Sequence, residues 1–151
     1  MKIGVLSDTH MHLAEEIPPE ILKLFPEMDL IVHAGDFVGS DVLDGLKRLG
    51  EVRAVHGNVD SMKLRSLLPD KELLMVGGKK IGITHGWGGP EGIEHRVKGL
   101  FDDVDIIIYG HSHRAKIEQI ENILFFNPGP GRQSFGILTI DQDVKGEIVK
   151  I

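Results

Sequence analysis

No cysteine occurs among the 151 residues of this chain. A disulfide framework and a thiolate metal site are both excluded, so any bound metal must rest on oxygen and imidazole nitrogen. Cationic residues are in the minority, with 17 Lys and Arg against 23 Asp and Glu for a formal net charge of −6. Aromatic residues make up only 5% of the chain, including one tryptophan and one tyrosine. The basic, aromatic-rich stripe expected of a surface for extended nucleic acid is therefore missing. Long apolar runs are missing too. Stretches such as Asp105 to Tyr109 have only strand length, so no segment is expected to span a membrane. Met1 to Leu6 lacks a signal-peptide pattern and runs directly into a strand, which makes the expected location cytoplasmic.

What is present fits one folded domain over residues 1–151, with 41% apolar and 26% charged residues. Lys2 to Leu6, Asp29 to Ala34 and Glu51 to Val55 read as buried strands. Between them, Ile17 to Phe25 shows near-helical spacing behind Pro18-Pro19. Val42, Leu43, Leu46 and Leu49 form a second helical stripe, with Ser40 or Asp41 as a cap and Gly50 as a stop. This β-α-β-α-β opening predicts a parallel sheet. The pattern then changes. Gly77-Gly78 predicts a hairpin between strands 72–76 and 80–84, and a helix is expected from about Pro90 to Phe101. Strands follow at 105–109, 116–120, 123–126, 136–140 and 147–151. Parallel β/α followed by antiparallel β points to two sheets packed face to face with helices outside.

Five motifs fall at the ends of these strands: Asp8-Thr9-His10, Gly35-Asp36, Gly57-Asn58-Val59-Asp60, Thr84-His85-Gly86 and Gly110-His111-Ser112-His113. Residues just past the C-termini of parallel strands gather along one rim, where ligand sites form. Asp60 aside, the motifs pool two carboxylates, one amide oxygen and four imidazoles, a donor set suited to two adjacent divalent cations. Each motif alone has an ordinary explanation. Asp-x-His recurs by chance, and Gly57-Asn58 reads equally well as a positive-φ turn. Five in order, each after a strand, are much harder to explain that way. On a turning loop His111 and His113 could serve different ions. Among the other histidines, His33 reads as a core or supporting residue, His12 and His95 as exposed, and His56 as open between a turn residue and a supporting one. Asp60 reads as a supporting residue that accepts a hydrogen bond from a ligand histidine.

At these residues the sequence resembles the calcineurin-like metallophosphoesterase superfamily. The motifs D-x-H, G-D, G-N-x-D/E, a strand-end His and G-H-x-H all stand between residues 4 and 113. The length and the Asn127-Pro128-Gly129 turn resemble its small single-domain phosphodiesterase branch. The resemblance implies an α/β fold, a four-layer α/β/β/α sandwich of two mixed β-sheets with flanking helices. It implies that Asp8, His10, Asp36 and His113 hold one metal, and that Asp36, Asn58, His85 and His111 hold the other, with Asp36 as the bridge. Asp36, Asn58, His85 and His111 would be the catalytic set. Two divalent ions are implied, Mn2+ first, with Ni2+, Fe, Co2+ or Zn2+ as alternatives.

The implied activity is hydrolysis of a small phosphodiester by a hydroxide shared between the ions. Phosphomonoester or nuclease chemistry on the same centre and a non-catalytic protein-binding scaffold are the alternatives. Scaffold relatives generally lack one or more ligand histidines, and none of the seven ligands is missing here. A homodimer through exposed strands is compatible with the pattern. Two departures stand out. Val59 occupies the place after the motif Asn where many relatives carry a proton-donating histidine, and Pro130 replaces the serine that often follows Asn-Pro-Gly. Arg132 is a candidate anchor for phosphate, although an exposed arginine is the plainer reading.

Overall fold

A computed structural model describes residues 1–151. Its first sheet holds β1 (Lys2–Leu6), β2 (Leu30–His33), β3 (Val52–Ala54), β9 (Ser134–Ile140) and β10 (Val144–Lys150), in the order β10-β9-β1-β2-β3. Strands β1, β2 and β3 run parallel, with Ile3 opposite Leu30 and Ile31 opposite Val52. Strand β9 closes the other side of β1 antiparallel, with Lys2 opposite Thr139. The second sheet holds β4 (Lys71–Val76), β5 (Lys79–Thr84), β6 (Ile106–Ile108), β7 (Lys116–Ile120) and β8 (Ile123–Asn127), in the order β4-β5-β6-β8-β7. Strands β5, β6 and β8 are parallel, and β4 and β7 flank them as antiparallel edges.

Alternation along the strands builds three apolar layers. Ile3, Val5, Val32 and Leu138 of the first sheet meet Ile81, Ile83, Ile106, Ile108 and Phe126 of the second in a shared 15-residue core. On the outer face of the first sheet, Leu6, Ile31 and Phe135 pack against helices α1 (Pro19–Leu24), α2 (Ser40–Lys47) and α3 (Met62–Leu67). The outer face of the second sheet buries Ile107, Tyr109 and Phe125 under Ile93 and Val97 of α4 (Ile93–Lys98). The layers therefore run helix, sheet, sheet, helix, as expected. No helix is long and apolar enough to cross a membrane.

Local details differ from the sequence reading. Helix α4 spans Ile93–Lys98 rather than 90–101, because the Trp87–Gly92 segment forms a separate loop. Strands β9 and β10 begin two and three residues earlier than 136 and 147. Neither Ser40 nor Asp41 caps α2. Its N-cap is Gly39, and the Asp41 carboxylate accepts the Ala14 amide at 2.7 Å instead. Helix α3 has no counterpart in the sequence reading: Leu64 is buried, while Met62 and Leu67 face outwards, so no apolar stripe marks it.

The topology sets up the site. The C-terminal ends of β1, β2 and β3 in one sheet, and of β5, β6 and β8 in the other, face one cleft. The His85 ring donates Nδ1–H to Ala34 O at 2.8 Å, and the His111 amide reaches Asp8 Oδ2 at 3.0 Å. Each of these bonds spans the two sheets.

Candidate metal centre

Backbone conformation singles out the motif residues. Eight non-glycine residues have positive φ, and Asp8, His10, Asp36, His111 and His113 are five of them, at 49° to 70°. That region is sparsely populated for side-chain-bearing residues, and such strain persists where surrounding structure holds it in place. Gly35, at φ 96°, turns the chain tightly at the end of β2. Gly57 departs from the sequence reading, since neither it nor Asn58 has positive φ. Glycine is required there for space: a Cβ would run into the Asp36 carboxylate and lie 2.7 Å from its backbone nitrogen.

All seven candidate ligand residues converge. Asp36 Oδ2 lies 3.1 Å from His85 Nε2 and 3.5 Å from His10 Nε2. Asp8 Oδ1 lies 3.3 Å from His113 Nε2, 3.8 Å from His85 Nε2 and 3.9 Å from His10 Nε2. Asn58 Oδ1 is 3.1 Å and His111 Nδ1 3.3 Å from His85 Nε2. The rings pair off, His10 with His113 and His85 with His111, each at 5.1 Å between centroids and nearly perpendicular. The two histidines of the last motif thus face different partners.

These spacings suit a cation. Ligand atoms about 2.1 Å from an ion in tetrahedral or octahedral array are roughly 3.0–3.4 Å from one another. The His85 Nδ1–H is committed to Ala34 O, so in the neutral ring Nε2 presents a lone pair to Asp36, Asp8 and Asn58 oxygens. Lone pairs facing lone pairs repel unless positive charge lies among them. Asp8 Oδ1 and His10 Nε2, both buried, have no hydrogen-bond partner at all. Buried polar atoms are ordinarily satisfied, so these two orphans fit metal ligation. Asp8, His10 and His113 form one group with metal-ligand spacing, and Asp8, Asp36 and His85 form another.

The same preference for positive charge appears in the ionisation of the cluster. Burial disfavours charge on Asp36, yet the His85 ring and the Val59 amide overcome it and hold the carboxyl down to about 2. Burial likewise disfavours a charged His85, but Asp36 and Asp8 outweigh it and raise its pKa above the ordinary histidine value. His33 behaves oppositely: burial, reinforced by His85, depresses it to about 3. It is neutral, stacked 3.5 Å from Phe37, accepting the Gly35 amide on Nδ1 at 3.1 Å. Its Nε2–H therefore donates to Thr9 Oγ1 at 3.1 Å, tying the first two motifs together.

Supporting contacts fix the loops. Asp60 Oδ2 accepts the Gly57 and Asp36 amides at 2.7 and 3.0 Å, and its Oδ1 accepts the Val38 amide at 2.8 Å. Its partners are backbone amides, not a ligand histidine as its motif position suggested. Ser7 Oγ donates to Asp8 Oδ2 at 2.7 Å, leaving Oδ1 to face the imidazoles. Asn127 was noted only as part of a turn. Its Nδ2 donates to Gly110 O and Ser112 Oγ at 3.3 and 3.0 Å, while its Oδ1 accepts the Gly129 amide at 3.0 Å. The end of β6 is further locked to α4, where Glu94 accepts the Tyr109 hydroxyl at 3.1 Å and Lys116 Nζ at 2.7 Å.

The remaining candidates lie around this centre. His12 and His95 are exposed, as read from the sequence. His56 lines a cavity beside Asn58 and His85. Val59 is 45% exposed, and its backbone amide donates to Asp36 Oδ1 at 3.0 Å. Arg132 is held beside the first motif, its Nη2 donating to Glu16 Oε1 at 2.7 Å and to His10 O at 3.1 Å.

Known proteins share this architecture. The calcineurin-like phosphoesterase superfamily domain matches residues 1–143. A probable metallophosphoesterase of Methanocaldococcus jannaschii is 40% identical over 133 residues, covering 85% of this chain and 67% of that protein. A phosphodiesterase of the same organism is 30% identical over 173 aligned positions, covering 99% of each. Among solved structures, Vps29 from Entamoeba histolytica complexed with Zn2+ superposes with a TM-score of 0.76 at 28% identity, covering 99% of both chains. With nearly the whole sequence matched, the chain belongs to the calcineurin-like phosphoesterase superfamily.

Proposed function

We propose that this protein is a dinuclear metal-dependent phosphodiesterase acting on small phosphodiesters. In this reading Asp8, His10, Asp36 and His113 hold one divalent ion, and Asp36, Asn58, His85 and His111 hold the other. The observation that carries it is the convergence of ligand atoms on Asp36 Oδ2, which lies 3.1 Å from His85 Nε2 and 3.5 Å from His10 Nε2. Asp8 Oδ1 also reaches both halves, 3.3 Å from His113 and 3.8 Å from His85, but Asp36 Oδ2 lies within 3.5 Å of a histidine of each, which is why Asp36 is the proposed bridge. Two such ions, when bound, supply an acidified water and positive charge for the phosphoryl oxygens. Mn2+ is the metal expected from the family resemblance, and the cytoplasm is the expected compartment.

The chain's own residues set the substrate range. Asn58 contributes an amide oxygen where a carboxylate would lower the charge of the centre further. Arg132 is ion-paired with Glu16 and bonded to the His10 carbonyl, which offsets the charge it would offer a monoester dianion. That favours a diester monoanion. A net charge of −6 weighs against long nucleic acid. The likeness to Vps29 supports a second reading, a protein-binding scaffold that retains metal. Elemental analysis of purified protein together with hydrolysis of bis(p-nitrophenyl) phosphate separates the two. A metal-loaded protein with no activity beyond the free ions would favour the scaffold.

Val59 has a specific consequence. An aliphatic side chain cannot protonate a departing alkoxide, and a positioned acid contributes about 10²–10⁴-fold to such steps. Rates across a series of diesters should therefore fall steeply as the leaving-group pKa rises. Val59→His should raise turnover of alkyl esters by roughly 10²-fold while changing aryl esters little. A flat leaving-group dependence in the unaltered protein would contradict this account.

A further inference from the structure

A cavity of about 350 Å³ opens beside the ligand cluster, with Asn58 and His85 in its wall. Only two of its eleven lining residues are hydrophobic, Trp87 and Leu100. Trp87 is the only tryptophan in the chain, and it is 47% exposed. Its loop is nonetheless firmly held. The Arg96 guanidinium donates Nε–H to Trp87 O at 2.8 Å, Nη1–H to Glu91 O at 3.0 Å and Nη2–H to Gly89 O. One side chain thus pins three carbonyls of a six-residue segment, so the half-exposed indole is presented from a fixed backbone. A large aromatic face left open at a concave site marks a place for a ligand.

The lining also carries charge and polar groups. Arg65 donates Nη1–H to Asn58 O at 3.3 Å, which places its guanidinium next to a ligand residue with further N–H groups to spare. Lys71 Nζ bonds Leu100 O at 3.1 Å, and the Asp70 carboxylate adds an acceptor. A flat apolar face, flanking cations, one carboxylate acceptor and a volume near the lower limit for small-ligand sites define a narrow class of occupant. It is a planar, polar-edged aromatic ring joined to a phosphate through a hydroxylated linker.

We infer that this cavity is the subsite for a nucleoside carried by the phosphodiester, with Trp87 as its stacking face and Arg65 directed at the phosphate side. The position of the ester depends on the phosphodiesterase reading above, whereas the stacking site itself does not. A base stacked on an aromatic side chain is typically weakened roughly 5- to 100-fold when that side chain is cut to alanine. Trp87→Phe keeps a ring and should keep most of the affinity.

The solitary tryptophan makes the test site-specific. Chelator-treated full-length protein is titrated with adenosine monophosphate and, separately, with ribose phosphate, following indole fluorescence. Saturable quenching by the nucleotide and none by the sugar phosphate is the expected result. In parallel, KM is measured on Mn2+-loaded protein for thymidine p-nitrophenyl phosphate and methyl p-nitrophenyl phosphate. Trp87→Ala should raise KM roughly 5- to 100-fold for the nucleoside ester alone, with Trp87→Phe close to the parent. Absence of saturable quenching, an equal response to ribose phosphate, or an equal KM change for both esters would each overturn the inference. Hydrolysis of both esters without quenching removes the subsite and leaves the phosphodiesterase reading intact. Saturable quenching with neither ester hydrolysed supports the subsite and counts against that reading.

Discussion

Asp36→Asn is expected to lower diester hydrolysis by roughly 10³-fold or more, and to strip ions from both halves of the centre together. The two oxygens of this carboxylate have different duties. Oδ1 accepts the Val59 amide at 3.0 Å, while Oδ2 faces His85 and His10. An asparagine satisfies the Val59 amide with its carbonyl oxygen, which turns its NH2 towards the imidazoles. Backbone anchoring survives, but the lone pair between the two halves is replaced by a donor. Fold and function should therefore separate cleanly. In the presence of chelator the variant should unfold close to the parent, and metal content per chain should drop at both positions. A variant that keeps one ion tightly bound, with activity within tenfold of the parent, would show that Asp36 is not the bridge.

The strand-end motifs were legible because their chemistry lies in residue type and order, and the period-2 and helical patterns placed them on one rim. His33 could be read as buried or supporting because an apolar strand surrounds it. What escaped the sequence depends on pairs distant in the chain. Gly57 looks like a turn glycine, yet its role is to leave room for Asp36, 21 positions earlier. Asp60 was placed near a histidine by motif, but its lone pairs go to three amides. Arg132 offered a free cation on paper and is neutralised by Glu16, 116 positions away. Nothing in sequence spacing signals such contacts.

Trp87 and Arg96 illustrate a different limit. Glycines at 86, 88, 89 and 92 break any periodicity, so the 86–89 segment reads as featureless and the expected helix begins at about Pro90, ahead of α4. Its order comes from one guanidinium binding three carbonyls, an arrangement with no local pattern. The positive φ of Asp8, His10, Asp36, His111 and His113 was also invisible, because aspartate and histidine tolerate that region better than most residues but no local pattern marks which of them adopt it. Those strained residues coincide with the candidate ligands, as expected where tertiary contacts hold a site ready for its ion.

Asp60→Ala should be the most destabilising single change near the centre, because it removes the contact that maintains this strain. The carboxylate is buried and takes the amides of Asp36, Val38 and Gly57, joining the loop after β2 to the loop after β3. Each buried donor left without a partner costs about 1–3 kcal/mol. Val38 is only partly buried, so about 3 kcal/mol in total is a conservative figure. For a chain of this size that corresponds to a fall in Tm of roughly 6–12 °C. Asp60→Asn should be intermediate, since its carbonyl oxygen can still serve some of the amides while its NH2 opposes the others. The effect should extend beyond stability. With two of its restraints gone, the Asp36 loop can relax from φ 64° towards ordinary values, turning Oδ2 away from His85. Metal affinity measured well below the unfolding midpoint should therefore fall in both variants, alanine more than asparagine. Metal affinity unchanged in a folded Asp60→Ala protein would mean that the strained geometry at Asp36 is held by its other neighbours.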